Sequence, residues 1–150
     1  MASSSQELVA TLMALFPPDE DITAPLEEGG REQMLRRELG RLATADFVTE
    51  MVADAGFRTE RHGVDGFVEA WDDWLEAFDS FRVNLDETVE FDETLLTLWT
   101  LTGVPRGGNT ELVNANAAVW FVTGGKLARV EFHMDRDMAR RSAEAGLPAR

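Results

Sequence analysis

Apolar positions recur at helical spacing in the first half of the chain and at two-residue spacing in much of the second. Leu8, Val9, Leu12, Met13 and Phe16 predict a helix over 5–16, with Ser4 and Glu7 at capping-box spacing before it and Pro17-Pro18 after it. Residues 19–30 are acidic and broken by Pro25 and Gly29-Gly30, which reads as a loop. Met34, Leu35, Leu39 and Leu42 share one side of a second helix over 31–43, mostly opposite its arginines. The run Phe47, Val48, Met51, Val52 is too brief for periodicity to arbitrate between a short strand and a continued helix; strand is the reading taken. The clearest helix runs from Val64 to Phe78, where Phe67, Val68, Trp71, Trp74 and Leu75 alternate with acids.

Beyond Ser80 the period changes. Phe81, Val83 and Leu85 alternate with polar residues, and the stretches 94–104, 111–123 and 126–135 are rich in branched and aromatic residues. Pro105 to Asn109 and Gly124-Gly125 separate them as hairpin turns. A last helix is expected over 136–145, capped by Asp135 or Asp137 and stopped before Gly146 and Pro148. Helices followed by consecutive antiparallel strands give an α+β domain, with the helices packed on one face of the sheet. Long strands would curve that sheet, and a curved sheet closed by helices leaves a conical hollow suited to a small molecule. The 150 residues are read as one domain, with 1–40 a helical N-terminal extension of it.

Composition narrows the chemistry. A formal charge of -14 disfavours nucleic acid as a partner. Residues 1–93 carry 23 acids against 7 bases, and the remainder 5 against 7, so the acidity belongs to the helical part and reads first as a solvated face. The absence of cysteine and the two separated histidines argue against a metal site, and no cofactor is implied. No apolar run approaches membrane-spanning length and the start lacks a signal-like core, so a cytoplasmic location is the expectation. All bases but Lys126 are arginine, as a GC-rich bacterial genome would favour.

Gly63-Val64-Asp65-Gly66-Phe67 leading into Ala70-Trp71-Asp72-Asp73-Trp74, then Ala118-Val119-Trp120-Phe121, Gly125-Lys126-Leu127, Phe132-His133-Met134-Asp135-Arg136 and Ala145-Gly146-Leu147, resemble the SnoaL-like branch of the nuclear transport factor 2-like superfamily. The likeness covers roughly residues 40–147. It implies a cone-shaped barrel with N-terminal helices on a strongly curved antiparallel sheet, and a homodimer formed through that sheet. It also implies a small apolar carbonyl ligand, with polyketide cyclase-like or isomerase-like acid/base catalysis as the sharper expectation. A non-catalytic binding or dimerisation module of the same fold is the alternative, because fold does not choose a chemistry.

In the last strand Leu127, Arg129, Glu131, His133 and Asp135 alternate onto one face. If that face lines the hollow, Glu131 and His133 form an acid/base pair, the buried carboxyl being pushed toward holding its proton. Otherwise they face solvent or a dimer partner, with Arg129 pairing Glu131. The resemblance places an acid/base aspartate near Asp135, which is also a helix cap. Asn114, Asn116 and Trp120 share a face of the preceding strand and are candidate ligand contacts, as are Trp71, Trp74 and Phe78, which equally suit plain core. Trp99 lies opposite Leu96 and Leu98 and is a candidate for an interface instead. Asp86, Asp92 and Glu93 read as loop acids, and His62 as a loop residue. With no tyrosine there is no counterpart to the phenolic donor of ketosteroid isomerases, and TLLTLWTLT lacks the Asp-Arg-Asp set of limonene epoxide hydrolases.

Overall fold

A computed structural model describes residues 4–18, 20–23, 30–52 and 58–146. The described elements are, in order, α1 (Ser4–Leu15), α2 (Gly30–Leu42), β1 (Ala43–Val52), β2 (Arg58–His62), α3 (Gly63–Leu75), β3 (Phe78–Phe91), β4 (Thr94–Pro105), β5 (Leu112–Thr123), β6 (Lys126–His133) and α4 (Arg136–Ala145). The expected Ser4 side-chain cap, most of the loop over 19–30 and the tail at Pro148 lie outside the described residues.

The six strands form one curved sheet in the order β2-β1-β6-β5-β4-β3. Every pairing is antiparallel except β1 with β6, where Glu50 stands beside Glu131 and Val52 beside His133. The run containing Phe47 is therefore a strand, longer than expected, and it brings the first half of the chain against the last strand. β2 was not anticipated: Arg-Thr-Glu-Arg-His has no apolar alternation, because at the sheet edge it buries almost nothing. His62 thus ends a strand instead of lying in a loop. The Gly124-Gly125 turn has φ of 59° and 79°, the two positive values that a tight hairpin of this hand requires and that glycine adopts without strain.

Two bulges decide which side chains go where. β3 carries Asp86 as an extra residue between the pairs Leu85–Trp99 and Glu87–Leu98. Phe81 and Val83 therefore join the core under the helices, whereas Val89 and Phe91 pack on the opposite face. β6 carries Ala128 as an extra residue between Phe121–Arg129 and Val122–Leu127. Leu127 then joins Val130 under the helices, and Arg129 and Glu131 are left on the other face.

The larger core lies between the sheet and α1, α2 and α3, built on Leu8, Leu12, Leu39, Phe47, Phe67, Phe81, Trp99 and Trp120. A smaller one is made where Ala139 and Ala143 of α4 cover Leu96, Leu98, Val119 and Phe121. Small residues on α4 let the helix lie close to the sheet. The acids of α3 (Asp65, Glu69, Asp72, Asp73) and Glu76 at its C-terminal cap are exposed, a solvated face partly matched by Arg36 on Asp65 and Arg61 on Asp73. Within the expected loop, Asp21 Oδ1 accepts hydrogen bonds from Thr23 and from the backbone N–H of Phe81, and Ile22 N–H donates to Phe81 O, which ties this segment to β3. Among the described residues, no helix is long and apolar enough to cross a membrane.

Candidate functional site

A cavity of about 90 Å³ lies between α3, Phe16 just past the end of α1, and the sheet, several times the roughly 10–15 Å³ that one water requires. Its walls include all four tryptophans of the chain: Trp71 and Trp74 from α3, Trp99 from β4 and Trp120 from β5. Phe16, Phe132, Val83 and Leu101 add apolar surface, and Met51, Asn116, His133 and Met134 gather where β1, β5 and β6 meet. Edge-to-face contacts hold the aromatic wall: Phe132 lies 5.5 Å from Trp71 and 5.8 Å from Trp120, both near perpendicular, and Phe16 lies 6.2 Å from Trp99.

The indole N–H groups fall into two sets. Thr97, fully buried, accepts from Trp99 Nε1 at 2.7 Å and from Trp120 Nε1 at 2.9 Å, and its hydroxyl donates to Ala118 O at 3.3 Å. Trp71 Nε1 and Trp74 Nε1 are buried without a hydrogen-bond partner among the described residues, as is His133 Nδ1.

Trp71, Trp74, Trp120, Asn116 and His133 thus border one cavity, and Phe78, Asn114, Glu131 and Asp135 do not. Helix α3 stops at Leu75, so Phe78 opens β3 instead and stacks behind the wall, 5.8 Å from Trp74 and 4.8 Å from Phe81. Asn114 sits on the exposed end of β5. Asp135 is exposed and caps α4, accepting from the N–H groups of Asp137 and Met138. Trp99 belongs to the cavity and not to an interface, since the face opposite Leu96 and Leu98 is the one under the helices. Asp86 is a bulge residue that accepts from Thr100 and from Arg136 Nη2 at 2.9 Å, and so ties α4 to the sheet. Phe132 and Phe16 carried no distinctive signal, because a core phenylalanine and a cavity-wall phenylalanine have the same spacing.

The polar face of β6 is buried, but under α4. Glu131 and His133 are 1 % and 2 % exposed. Glu131 Oε1 receives the Ser142 hydroxyl at 2.6 Å and lies 2.8 Å from His133 Nε2, while Oε2 receives Arg129 Nε at 3.1 Å. Arg129 also pairs with the buried Glu50, which Arg58 contacts from the other side. The expectation that Glu131 holds its proton is overturned. Burial by itself raises its carboxyl, but hydrogen bonds from His133, Ser142 and Arg129 together outweigh that and bring it from 4.5 to about 2. Glu131 is ionised at neutral pH and accepts only, which places a hydrogen on His133 Nε2 and leaves Nδ1 as the ring nitrogen not engaged by Glu131. His133 reaches the cavity rim from the last position of β6, between Val52 and Ala117.

A helical layer over a six-stranded curved sheet, with an apolar hollow between them, defines the cystatin-like α+β class. Within it the chain belongs to the SnoaL-like domain family, whose model matches residues 36–130. No curated protein sequence matches it. Among solved structures, it is similar to an NTF2-like protein of unknown function from Burkholderia pseudomallei, with 15% identity over 95% of this chain and 98% of that one and a TM-score of 0.61. TerC, co-crystallised with polyporic acid, gives 15% identity, 97% and 100% coverage and a TM-score of 0.60. A protein described as a SnoaL-like polyketide cyclase from Jannaschia sp. gives 15% identity, 94% coverage of both chains and a TM-score of 0.59. At such identity these likenesses concern the fold.

Proposed function

We propose that this chain binds a small, flat, largely apolar molecule in the tryptophan-walled cavity. The observation that carries the reading is the convergence of all four tryptophans on one hollow, the apolar and aromatic lining typical of a small-molecule site. Flat π-faces and an apolar floor suit a ring system. The bicyclic ketone 1-tetralone is a suitable probe. Its titration should quench tryptophan emission saturably, and Val83→Phe, which fills the cavity from β3, should weaken binding at least about tenfold. Emission that falls only linearly with added ketone, alike in both proteins, would sink the reading.

A second reading, acid/base turnover, rests on His133. It is the one titratable side chain among the described residues of the lining, and the Glu131 carboxylate holds its Nε2, which leaves Nδ1 as the ring nitrogen available for proton transfer. Under this reading the C2–H bond of bound 1-tetralone breaks, its proton passes to Nδ1, and the electron pair moves onto the carbonyl oxygen before return of a solvent deuteron. Exchange at C2 followed by NMR in D₂O should be faster with the protein than without it, and lost in His133→Phe. Exchange equal to the buffer rate leaves binding alone.

A further inference from the structure

Resting on the binding reading above, the unpartnered nitrogens point to the polarity of the ligand. Trp71 Nε1, Trp74 Nε1 and His133 Nδ1 are each buried, each without a partner among the described residues, and all three residues border the same cavity. Trp99 and Trp120 show the ordinary arrangement in the same walls, with both N–H groups taken up by Thr97. A buried N–H left unmatched is costly, so two such groups on successive turns of α3 mark a place where an acceptor belongs. At the other pole, where β5 and β6 meet, the His133 Nε2 hydrogen is committed to Glu131, so Nδ1 is the ring nitrogen left for a ligand hydroxyl, which can donate to it or accept from it. Asn116, beside it in the lining, donates among the described residues only to the soft Met134 Sδ at 3.8 Å. The described lining contains no lysine or arginine, and Arg129 is paired with Glu50 and Glu131, so no guanidinium or ammonium in the lining offsets the desolvation of a ligand anion.

We infer that the cavity selects an uncharged ring compound with a carbonyl oxygen directed to the indole N–H groups of Trp71 and Trp74 and a hydroxyl directed to His133 Nδ1. Trp71 and Trp74 are then orienting donors as well as walls, and Glu131 with Ser142 and Arg129 positions the imidazole at the far end. The inference separates polar recognition from apolar filling, which the ring faces alone would provide.

A ligand series on the unmodified protein tests this without relying on any variant. Binding of tetralin, 1-tetralone, 5,6,7,8-tetrahydro-2-naphthol and 6-hydroxy-1-tetralone is measured by tryptophan quenching and calorimetry, with 1-naphthoate as the charged comparator. Each added oxygen should tighten binding by about three- to tenfold, 6-hydroxy-1-tetralone should bind best, and 1-naphthoate should bind more weakly than 1-tetralone. Trp71→Phe and Trp74→Phe should remove the advantage of 1-tetralone over tetralin while leaving tetralin itself nearly unchanged. Equal affinity for tetralin and 6-hydroxy-1-tetralone overturns the hydrogen-bonding inference and leaves apolar binding standing. Absence of saturable binding by every member overturns both. Preference for 1-naphthoate also overturns it, since an anion would then have found a counter-charge.

Discussion

Arg129→Met should cost about 3–5 kcal/mol of folding stability at neutral pH, the scale expected when one partner is removed from a buried ionic cluster. Arg129 stands between two carboxylates that are almost wholly buried, Glu50 at 2 % and Glu131 at 1 % exposure, and pairs with both. Its removal leaves Arg58 on Glu50, and leaves Glu131 with Ser142 and His133 as its donors. The loss should depend on pH. In the intact protein Glu131 titrates at about 2 in place of 4.5, so its contribution, on the order of 3 kcal/mol, is fully present above pH 4.5 and disappears as pH falls through 2. Without the guanidinium, the folded-state value moves back up, and protonation relieves the variant at a pH where the parent is still charged. Urea denaturation at pH 7, 5 and 3 should therefore show the gap between the two proteins narrowing toward acid. A gap under about 1 kcal/mol at pH 7 would mean that the cluster contributes no more than a surface ion pair. Replacing Glu50, Arg129 and Glu131 together by uncharged residues of similar size should be less harmful than removing Arg129 alone, because no charge is then stranded.

Thr97→Val should destabilise the protein by roughly 2–4 kcal/mol although the side chain keeps its shape, since one hydroxyl serves two buried indoles. Both Trp99 and Trp120 are almost fully buried, so neither N–H recovers a water when the hydroxyl is lost. Thr97→Ser keeps the acceptor, loses only a methyl group, and should cost about 1 kcal/mol. Chemical denaturation measures the difference, and tryptophan emission reports whether the indoles have moved. Should the valine variant fall within about 0.5 kcal/mol of the parent, as a typical surface substitution does, Thr97 is not the anchor of the β4–β5 wall. The pair also bears on recognition. With Trp99 and Trp120 locked to Thr97, the unpartnered donors of the cavity are those of α3, and disturbing Thr97 should blur that division.

The helices and the long strands were legible because their periods are long and regular. The three-to-four spacing of Val64, Phe67, Val68, Trp71, Trp74 and Leu75 persists over 13 residues of α3, and the Gly124-Gly125 turn has a single reasonable backbone conformation. Phe78 was carried into that helix because it falls four positions after Trp74, a spacing that a helix and a helix-to-strand junction share. β2 was invisible because an edge strand of charged residues has no buried face to mark it. Part of the candidate site followed from residue type: tryptophans on an amphipathic helix and on a half-polar strand are suited to an apolar hollow.

The face assignments behaved differently, because alternation tells which residues go together but not which way they go. In β6 alternation set Leu127 with Arg129, Glu131 and His133, and one extra residue at Ala128 sends Leu127 under the helices, leaves Arg129 and Glu131 on the other face and brings His133 to the cavity rim at the strand's end. The carboxylate that burial would have kept protonated is ionised because Ser142, eleven residues further on, and Arg129 both reach it. Trp99 moved from a supposed interface into the cavity wall once β4 had neighbours on both sides. The amino-acid sequence by itself determined the elements, their order and the supply of aromatic and ionisable groups, since these depend on local propensity and short-range period. Only the tertiary structure decided which groups share a cavity and which carry charge, because bulge placement, strand pairing and local dielectric are set by contacts between residues far apart in the chain.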